Sequence, residues 1–343
     1  MNTIVITYHN EPREFLMDCL KSLRDTIDIE HEIIIVDDCS DTPLLSIEGV
    51  RIIRNPVNLG VGQSFDTGVK NSKEGNIILM ACDIRFGHNN WASKLIQEIE
   101  NHPTSFTCTA CVGLNERTSC CNAPIVEGRC AGEKCKNPEG AIPNMDFETR
   151  RLKSCHRGGA TFLAFHDRHS DPAKVVGFQS ILEAKWLPNT KNTESYEIPC
   201  ILGAIYGVKK SWYRHIDGWW GHKQWGTLEP YISIKSWMMG GSCRIAPHIE
   251  AAHIFKLHGT HGQRPENQIY NKILTAKLFI DDKEEEKRFI GFLPHNGAKV
   301  KALKMARENE VDARYEYYSW KYVMTFAQLC EKFNIDTRKN GSK

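Results

Sequence analysis

Short apolar runs alternate with amphipathic stretches through the first hundred residues. Residues 3–7 (Thr3-Ile4-Val5-Ile6-Thr7), 32–36, 50–54 and 76–80 are strand-length runs bounded by polar or turn-forming residues, and they predict buried strands. Between them, residues 14–24 place Phe15, Leu16, Cys19, Leu20 and Leu23 at helical spacing, and residues 62–71 and 90–99 read as helices too. This β-α-β order predicts a parallel sheet with helices on both faces. In such sheets ligands bind at the carboxyl ends of the strands. Thr7, Asp37, Asp38 and Asp83 all stand at strand ends.

The alternation stops at about residue 104. From there to about 197, Gly, Asn and Pro are frequent, and seven of the thirteen cysteines fall between Cys108 and Cys155, so the stretch reads as a loop-rich insertion. Residues 198–255 form a compact segment with most of the tryptophans. The remainder reads as helices at about 267–278, 298–308 and 318–333. The chain therefore divides into a ligand-binding half (1–103), a Cys-rich insertion (104–197), a second half (198–260) and a helical extension (261–343).

Composition narrows the class. The 343 residues are 41% hydrophobic and 25% charged, enough apolar material for a sizeable core. A net charge of +2 gives no global pull toward nucleic acid or anionic membranes. No apolar run approaches the roughly 18 residues of a membrane helix, so no integral membrane segment is expected. The sequence runs into its first strand with no basic and apolar leader, which predicts a cytoplasmic protein with reduced thiols.

Four pieces carry candidate chemistry. Ile33-Ile34-Ile35-Val36-Asp37-Asp38-Cys39-Ser40 ends a strand in carboxylates, which either accept hydrogen bonds from a nucleotide or cap a turn. Asp83 ends the strand Ile77–Met80, where a lone carboxylate can ligate Mg²⁺ or Mn²⁺. Trp225-Gly226-Thr227-Leu228-Glu229 sets an acid at a Gly turn opening a helix that closes at Gly240-Gly241; the acid is either functional or a helix-terminus charge. His253 lies in the apolar run 243–255, as a ligand or as a core histidine. Cys108-x-x-Cys111, Cys120-Cys121, Cys130 and Cys135 fit either a structural Zn²⁺ or plain thiols. Trp212, Trp219, Trp220, Trp225 and Tyr231 either pack in the core or stack on a sugar face.

Taken together and in order, these pieces resemble the GT-A glycosyltransferases of family 2, and the polypeptide N-acetylgalactosaminyltransferases in particular. The resemblance rests on Ile6-Thr7-Tyr8-His9-Asn10-Glu11, Val36-Asp37-Asp38-Cys39-Ser40, Asn58-Leu59-Gly60 with Ser64, Asp66 and Gly68, then Ile78–Phe86, Trp225–Gly241 and Gly240–Lys256. It covers roughly residues 1–100 and 198–260. It implies a Rossmann-like mixed α/β sheet and transfer of a sugar from a UDP-sugar to a hydroxyl acceptor on a glycan, a protein Ser/Thr or a hydroxymethylated DNA base.

Position by position, the resemblance implies that Thr7, His9 and Asp38 hold the uridine, with Asp37 beside them and Asn58 and Gly60 in the same nucleotide site. Asp83 and His253 would hold Mn²⁺ or Mg²⁺. Gly203 and Ala204 would face the sugar, with Trp225 and Tyr231 on the sugar or acceptor side. Glu229 falls on the general base of inverting enzymes. The chain departs from the family at Ala81-Cys82-Asp83-Ile84-Arg85, where Arg85 could share the diphosphate charge, and at Leu228, which stands where the N-acetylgalactosaminyltransferases carry a glutamate. Two other readings remain: a non-catalytic sugar-nucleotide-binding scaffold, and a nucleotidyltransferase. The latter would want a Gly-rich basic loop after the first strand, where this chain has Tyr8-His9-Asn10-Glu11-Pro12.

Overall fold

The computed structural model describes residues 1–115, 125–126, 129–130, 159–162, 182–187, 193–255 and 264–335. Four strands follow the expected alternation: β1 (Asn2–Tyr8), β2 (His31–Asp37), β3 (Arg51–Arg54) and β4 (Asn76–Ala81). They pair in parallel in the order β4-β1-β2-β3. Ile4–Ile6, Ile33–Val36 and Ile77–Met80 are buried on both faces, which explains why they read as continuous apolar runs. Helices α1 (Arg13–Thr26), α2 (Val61–Asn71) and α3 (Trp91–Asn101) make the crossovers.

The rest of the sheet is mixed. It adds β5 (Ile84–Arg85), β6 (Ser105–Asn115), β11 (Tyr196–Glu197), β12 (Ile205–Lys209) and β13 (Ser242–Phe255), while β7 (Ile125–Val126) pairs with β8 (Arg129–Cys130) and β9 (Ala160–Phe162) with β10 (Ala184–Trp186) in two small ribbons. The nine described strands of the main sheet run β11-β13-β6-β12-β4-β1-β2-β3, with β5 on β13. β12 is antiparallel to both β4 and β6, and β13 is parallel to β6. The mixed sheet implied by the family resemblance is thus present, and the all-parallel reading of the alternation holds only for β1–β4. β6 is a central strand, so residues 105–115 belong to the sheet and not to an insertion.

Helices cover both faces. Under α1 and α3 lie Leu16, Leu20, Trp91 and Leu95. The opposite core holds Phe65, Trp219, Tyr231 and Ile269, covered by α2, α4 (Lys210–His215), α5 (Leu228–Met238) and α6 (Pro265–Phe279). Three further helices close that side: α7 (Lys283–Phe292), α8 (Gly297–Glu308) and α9 (Val311–Ser319), followed by α10 (Phe326–Lys332). The run read as one helix at 318–333 is interrupted because Thr325 and Gln328 form a capping box that starts α10 afresh. α7 is mostly charged, with Phe289 as its buried apolar residue, and starts on the Asp282 side chain, which accepts from Glu284 N and Glu285 N. No described helix is long and apolar enough to cross a membrane.

α2 lies so close to β1 that a Cβ on Gly68 would sit 2.2 Å from Val5 Cγ1, whereas a Cβ on Gly297 in α8 would meet open space. Gly68→Ala is therefore expected to cost about 1–3 kcal/mol by overpacking. Gly297→Ala should be neutral or slightly stabilising. Urea denaturation of the two variants checks the contrast, and equal effects would contradict the tight α2–β1 approach.

Candidate active site

The site begins at the end of β2, where two adjacent aspartates point opposite ways. Asp37 turns into the protein. Its carboxylate accepts from Ser40 N (2.9 Å) and Leu44 N (3.3 Å) and pairs with Arg54. Burial alone would raise its pKa, but these hydrogen bonds outweigh it and hold the group below the usual carboxylate range. Asp37 is thus a turn anchor and lies off the cleft, unlike the nucleotide contact that the resemblance implied. Asp38 faces the cleft, and its carboxylate fixes the next loop. Oδ1 accepts from Leu59 N (2.9 Å) and Asn55 Nδ2 (2.7 Å), and Oδ2 from Gly60 N (2.7 Å).

His9, just past β1, closes the same loop from above. Its Nδ1 lies 2.8 Å from the Asp38 carbonyl and its Nε2 2.9 Å from Asn58 Nδ2. The ring is thus fixed through both of its nitrogens. Thr7, His9, Asp38, Asn58, Gly60 and Asp83 line one open cleft of about 590 Å³. Of the residues assigned to the nucleotide all but Asp37 are therefore together, with the metal candidate Asp83 beside them. Tyr8, Glu11, Ser64 and Gln224 join them. Ser64 stood in the quoted motif; Gln224 could have been found only from its position next to Trp225.

Asp83 is shared between this cleft and a second, larger one of about 1070 Å³. Across the boundary stands His253, whose Nε2 lies 3.5 Å from Asp83 Oδ2. Backbone pairing fixes the pair: His253 is opposite Ile84 in the β13–β5 ladder, and Ile254 N donates to Asp83 O (3.0 Å). The separation is long for a hydrogen bond and near the roughly 3 Å between neighbouring ligands of a small octahedral ion. One carboxylate oxygen and one imidazole nitrogen fit Mn²⁺, which accepts both donor types. Among the described residues no group of three or more His, Cys, Asp or Glu gathers for a metal. The protein therefore offers two donors there, with ligand oxygens and water left to complete a shell. Arg85 does not share this work. It is buried on the other side of β5, where its guanidinium donates to the carbonyls of Cys82 and Ile84.

The second cleft is lined by Gly203, Ala204, Trp225, Glu229 and His253, with Tyr206 and Leu228. Glu229 lies in the first turn of α5, and Tyr206 Oη donates to its Oε1 at 3.1 Å. Desolvation in the cleft wall pushes the Glu229 carboxyl up to about 7; the Tyr206 hydrogen bond works against the shift and the nearby Glu183 carboxylate adds to it. Tyr231 is two residues beyond Glu229 on a helix, about 200° around. It is accordingly in the core, donating to Trp220 O (2.7 Å), and not in the sugar or acceptor site. Trp212 is buried and Trp225 is 46% exposed at the junction of the two clefts.

The zinc reading weakens at its best spacing. Cys108 and Cys111 are three apart on β6, so their side chains enter opposite cores. They cannot ligate one ion as a pair. The side chains of Cys120, Cys121, Cys130 and Cys135 lie outside the described residues.

With this geometry in view, comparison with known proteins is informative. Residues 3–124 match the family described as Glycosyl transferase family 2. Polypeptide N-acetylgalactosaminyltransferase 16 of Mus musculus is 25% identical over 292 residues, 82% of this chain and 45% of that protein. Polypeptide N-acetylgalactosaminyltransferase 14 of Homo sapiens is 23% identical over 295 residues, 82% of this chain and 46% of that one. A crystal structure of GalNAc-T7 with UDP, GalNAc and Mn²⁺ superposes with a TM-score of 0.63 at 18% identity, covering 97% of this chain and 56% of that chain. The chain spans about half the length of the curated relatives it matches. The fold is of the GT-A type, residues 3–124 are similar to family 2 glycosyltransferases, and over 82% of its length the chain is similar to polypeptide N-acetylgalactosaminyltransferases.

Asp38 offers a direct test of how the cleft is held. In Asp38→Asn an amide nitrogen must face the N–H of Gly60 or of Leu59. We expect a loss of about 1.5–3 kcal/mol, the range for hydrogen bonds to a charged group, in chemical denaturation. A loss under half a kcal/mol would mean that the loop stands without Asp38.

Proposed function

We propose that the protein transfers a sugar from a UDP-sugar to a hydroxyl group, using a divalent metal at Asp83 and His253 and Glu229 as the general base of an inverting displacement. The observation that carries this reading is the meeting of two clefts at one carboxylate–imidazole pair, with the pKa-shifted Glu229 in the wall of the second. The names of the relatives favour an N-acetylhexosamine as the sugar and a polypeptide hydroxyl as the first acceptor to try.

The nucleoside fits the cleft of Thr7, His9, Asn58 and Gly60 with the ring of His9 as its platform. The diphosphate then reaches the boundary between the clefts. A cation bound there would offset the negative charge that develops on the departing diphosphate. On the far side, Glu229 takes the proton of the acceptor hydroxyl as that oxygen attacks the sugar carbon, and the bond to the diphosphate breaks on the opposite face. Tyr206 keeps the accepting carboxylate pointed into the cleft. Leu228 and Trp225 give that cleft apolar walls, which limit water as a competing acceptor.

A ligand that binds only the folded state raises the melting temperature. UDP with Mn²⁺ should therefore stabilise the wild type, and Asp83→Ala should lose the Mn²⁺-dependent part. No shift with UDP, GDP, CMP or dTDP would sink the donor assignment.

Glu229 gives a second, independent check. Glu229→Gln should retain the thermal shift while losing about 10²–10⁴-fold in turnover. Because the base must be ionised, the wild-type rate should fall about tenfold per pH unit below about 7 and level off above it. Tyr206→Phe removes a donor that favours the ionised form, so the limb should move to higher pH. A profile flat from pH 5 to 8 in the wild type would exclude Glu229 as the base.

A further inference from the structure

The loop that carries Trp225 has no secondary structure to hold it. Gln224 and Thr227 adopt left-handed conformations (φ 47° and 58°), and Gly226 has φ 101°. Two left-handed non-glycine residues in a stretch of four need outside support. Most of that support comes from one side chain on α6. Asn271 is fully buried; its Oδ1 accepts from Lys223 N (2.9 Å) and its Nδ2 donates to the carbonyls of Lys223 (2.7 Å), Gly226 (3.0 Å) and Trp225 (3.3 Å). It pairs with the loop as a neighbouring strand would. One turn earlier, Asn267 Nδ2 donates to Gln224 Oε1 (2.7 Å). His222 Nε2 adds a contact of 2.8 Å to the Gly226 carbonyl.

The loop so held presses directly on the nucleotide cleft. Gln224 N donates to Leu59 O (3.1 Å), and a Cβ on Gly60 would sit 2.1 Å from Gln224 Cα. Gln224 lines the nucleotide cleft and Trp225 lines both clefts. Asn is a poor choice for a helix interior on propensity alone, and its polar atoms here make no contribution to the helix except through the loop.

We propose that Asn271 is a positioning residue for sugar transfer: from the helical extension it fixes the Lys223–Gly226 loop over the donor, and so makes α6 part of the donor site. The inference rests on the reading of the cleft as a UDP-sugar site. It differs from a purely structural role in where its loss is felt. A half-buried asparagine elsewhere on the same helix layer provides the comparison: Asn309 Nδ2 donates to Tyr270 Oη (3.3 Å) and Met305 O (2.9 Å), two groups outside the loop.

The test measures UDP affinity in the presence of Mn²⁺ and amide hydrogen exchange at Gln224, in wild type, Asn271→Ala and Asn309→Ala. Gln224 is the reporter because its own amide bonds to Leu59, not to Asn271. We expect Asn271→Ala to weaken UDP binding about tenfold and to speed Gln224 exchange by a similar factor, with donor KM rising more than kcat falls. Asn309→Ala should lower the melting temperature and leave both readouts near wild type. If Asn271→Ala does not fold, Asn271→Asp keeps the acceptor for Lys223 N and loses the donated bonds, and it should show the same changes. The proposal is overturned if the Asn271 and Asn309 variants behave alike in exchange and affinity. A wild type that binds no UDP would fell the donor reading, and the exchange comparison would by itself still uphold or overturn the positioning.

Discussion

Two loops meet at Gly60 with no room for a side chain, and the cleft of Thr7, His9 and Asp38 depends on that contact. Leu59 and Gly60 are drawn inward by the Asp38 carboxylate, and Gln224 is laid across them from 164 residues further along the chain. Asp38 supplies charge-assisted hydrogen bonds to two backbone amides, which are stronger than neutral ones. Without them the Leu59–Gly60 turn would have no fixed height under the Gln224 backbone. The cleft wall is therefore a product of electrostatics at one end and a steric limit at the other, and neither is a hydrophobic packing effect.

That distinction explains which features could be read from the sequence. The β-α-β alternation of residues 3–101 was legible because strands buried on both faces must be apolar throughout, and α1 must be apolar on one face. Asp83, His253 and Glu229 each had an ordinary structural use in the sequence; the family resemblance singled them out, and the structure lines the second cleft with all three. Asp37 and Tyr231 were misplaced by a single geometric fact: neighbours on a strand and residues two apart on a helix point away from each other. Asn271 and Tyr206 gave no motif signal, since their roles exist only across contacts between distant segments. Lys235 shows the converse problem. It is fully buried, with its ammonium donating to the carbonyls of Asp217 (3.1 Å) and Gly218 (2.9 Å), where a pattern reading would send it to solvent.

Glu229 also sets function against stability. Its carboxyl keeps its proton to about pH 7, while in the unfolded chain it would release it near the ordinary glutamate value. The folded state thus binds the extra proton between those limits. That contribution to stability is complete below the ordinary value and is lost as pH rises through about 7. The ionised form that the proposed general base requires is therefore the form that the fold favours less. Tyr206 eases the conflict by donating to the carboxylate without opening the cleft to water.

The pairing of β5 with β13 brings Asp83 to His253, 170 positions apart in the chain. Such a contact has a high loop-closure cost and forms late, after the local β-α-β units have collapsed. The two proposed metal donors come within reach of one ion only when this last strand has entered the sheet. Divalent-cation affinity is then a gauge of completed topology: a folding intermediate with β1–β4 in place would already resemble the native protein by circular dichroism, yet would hold Mn²⁺ no better than a single aspartate does.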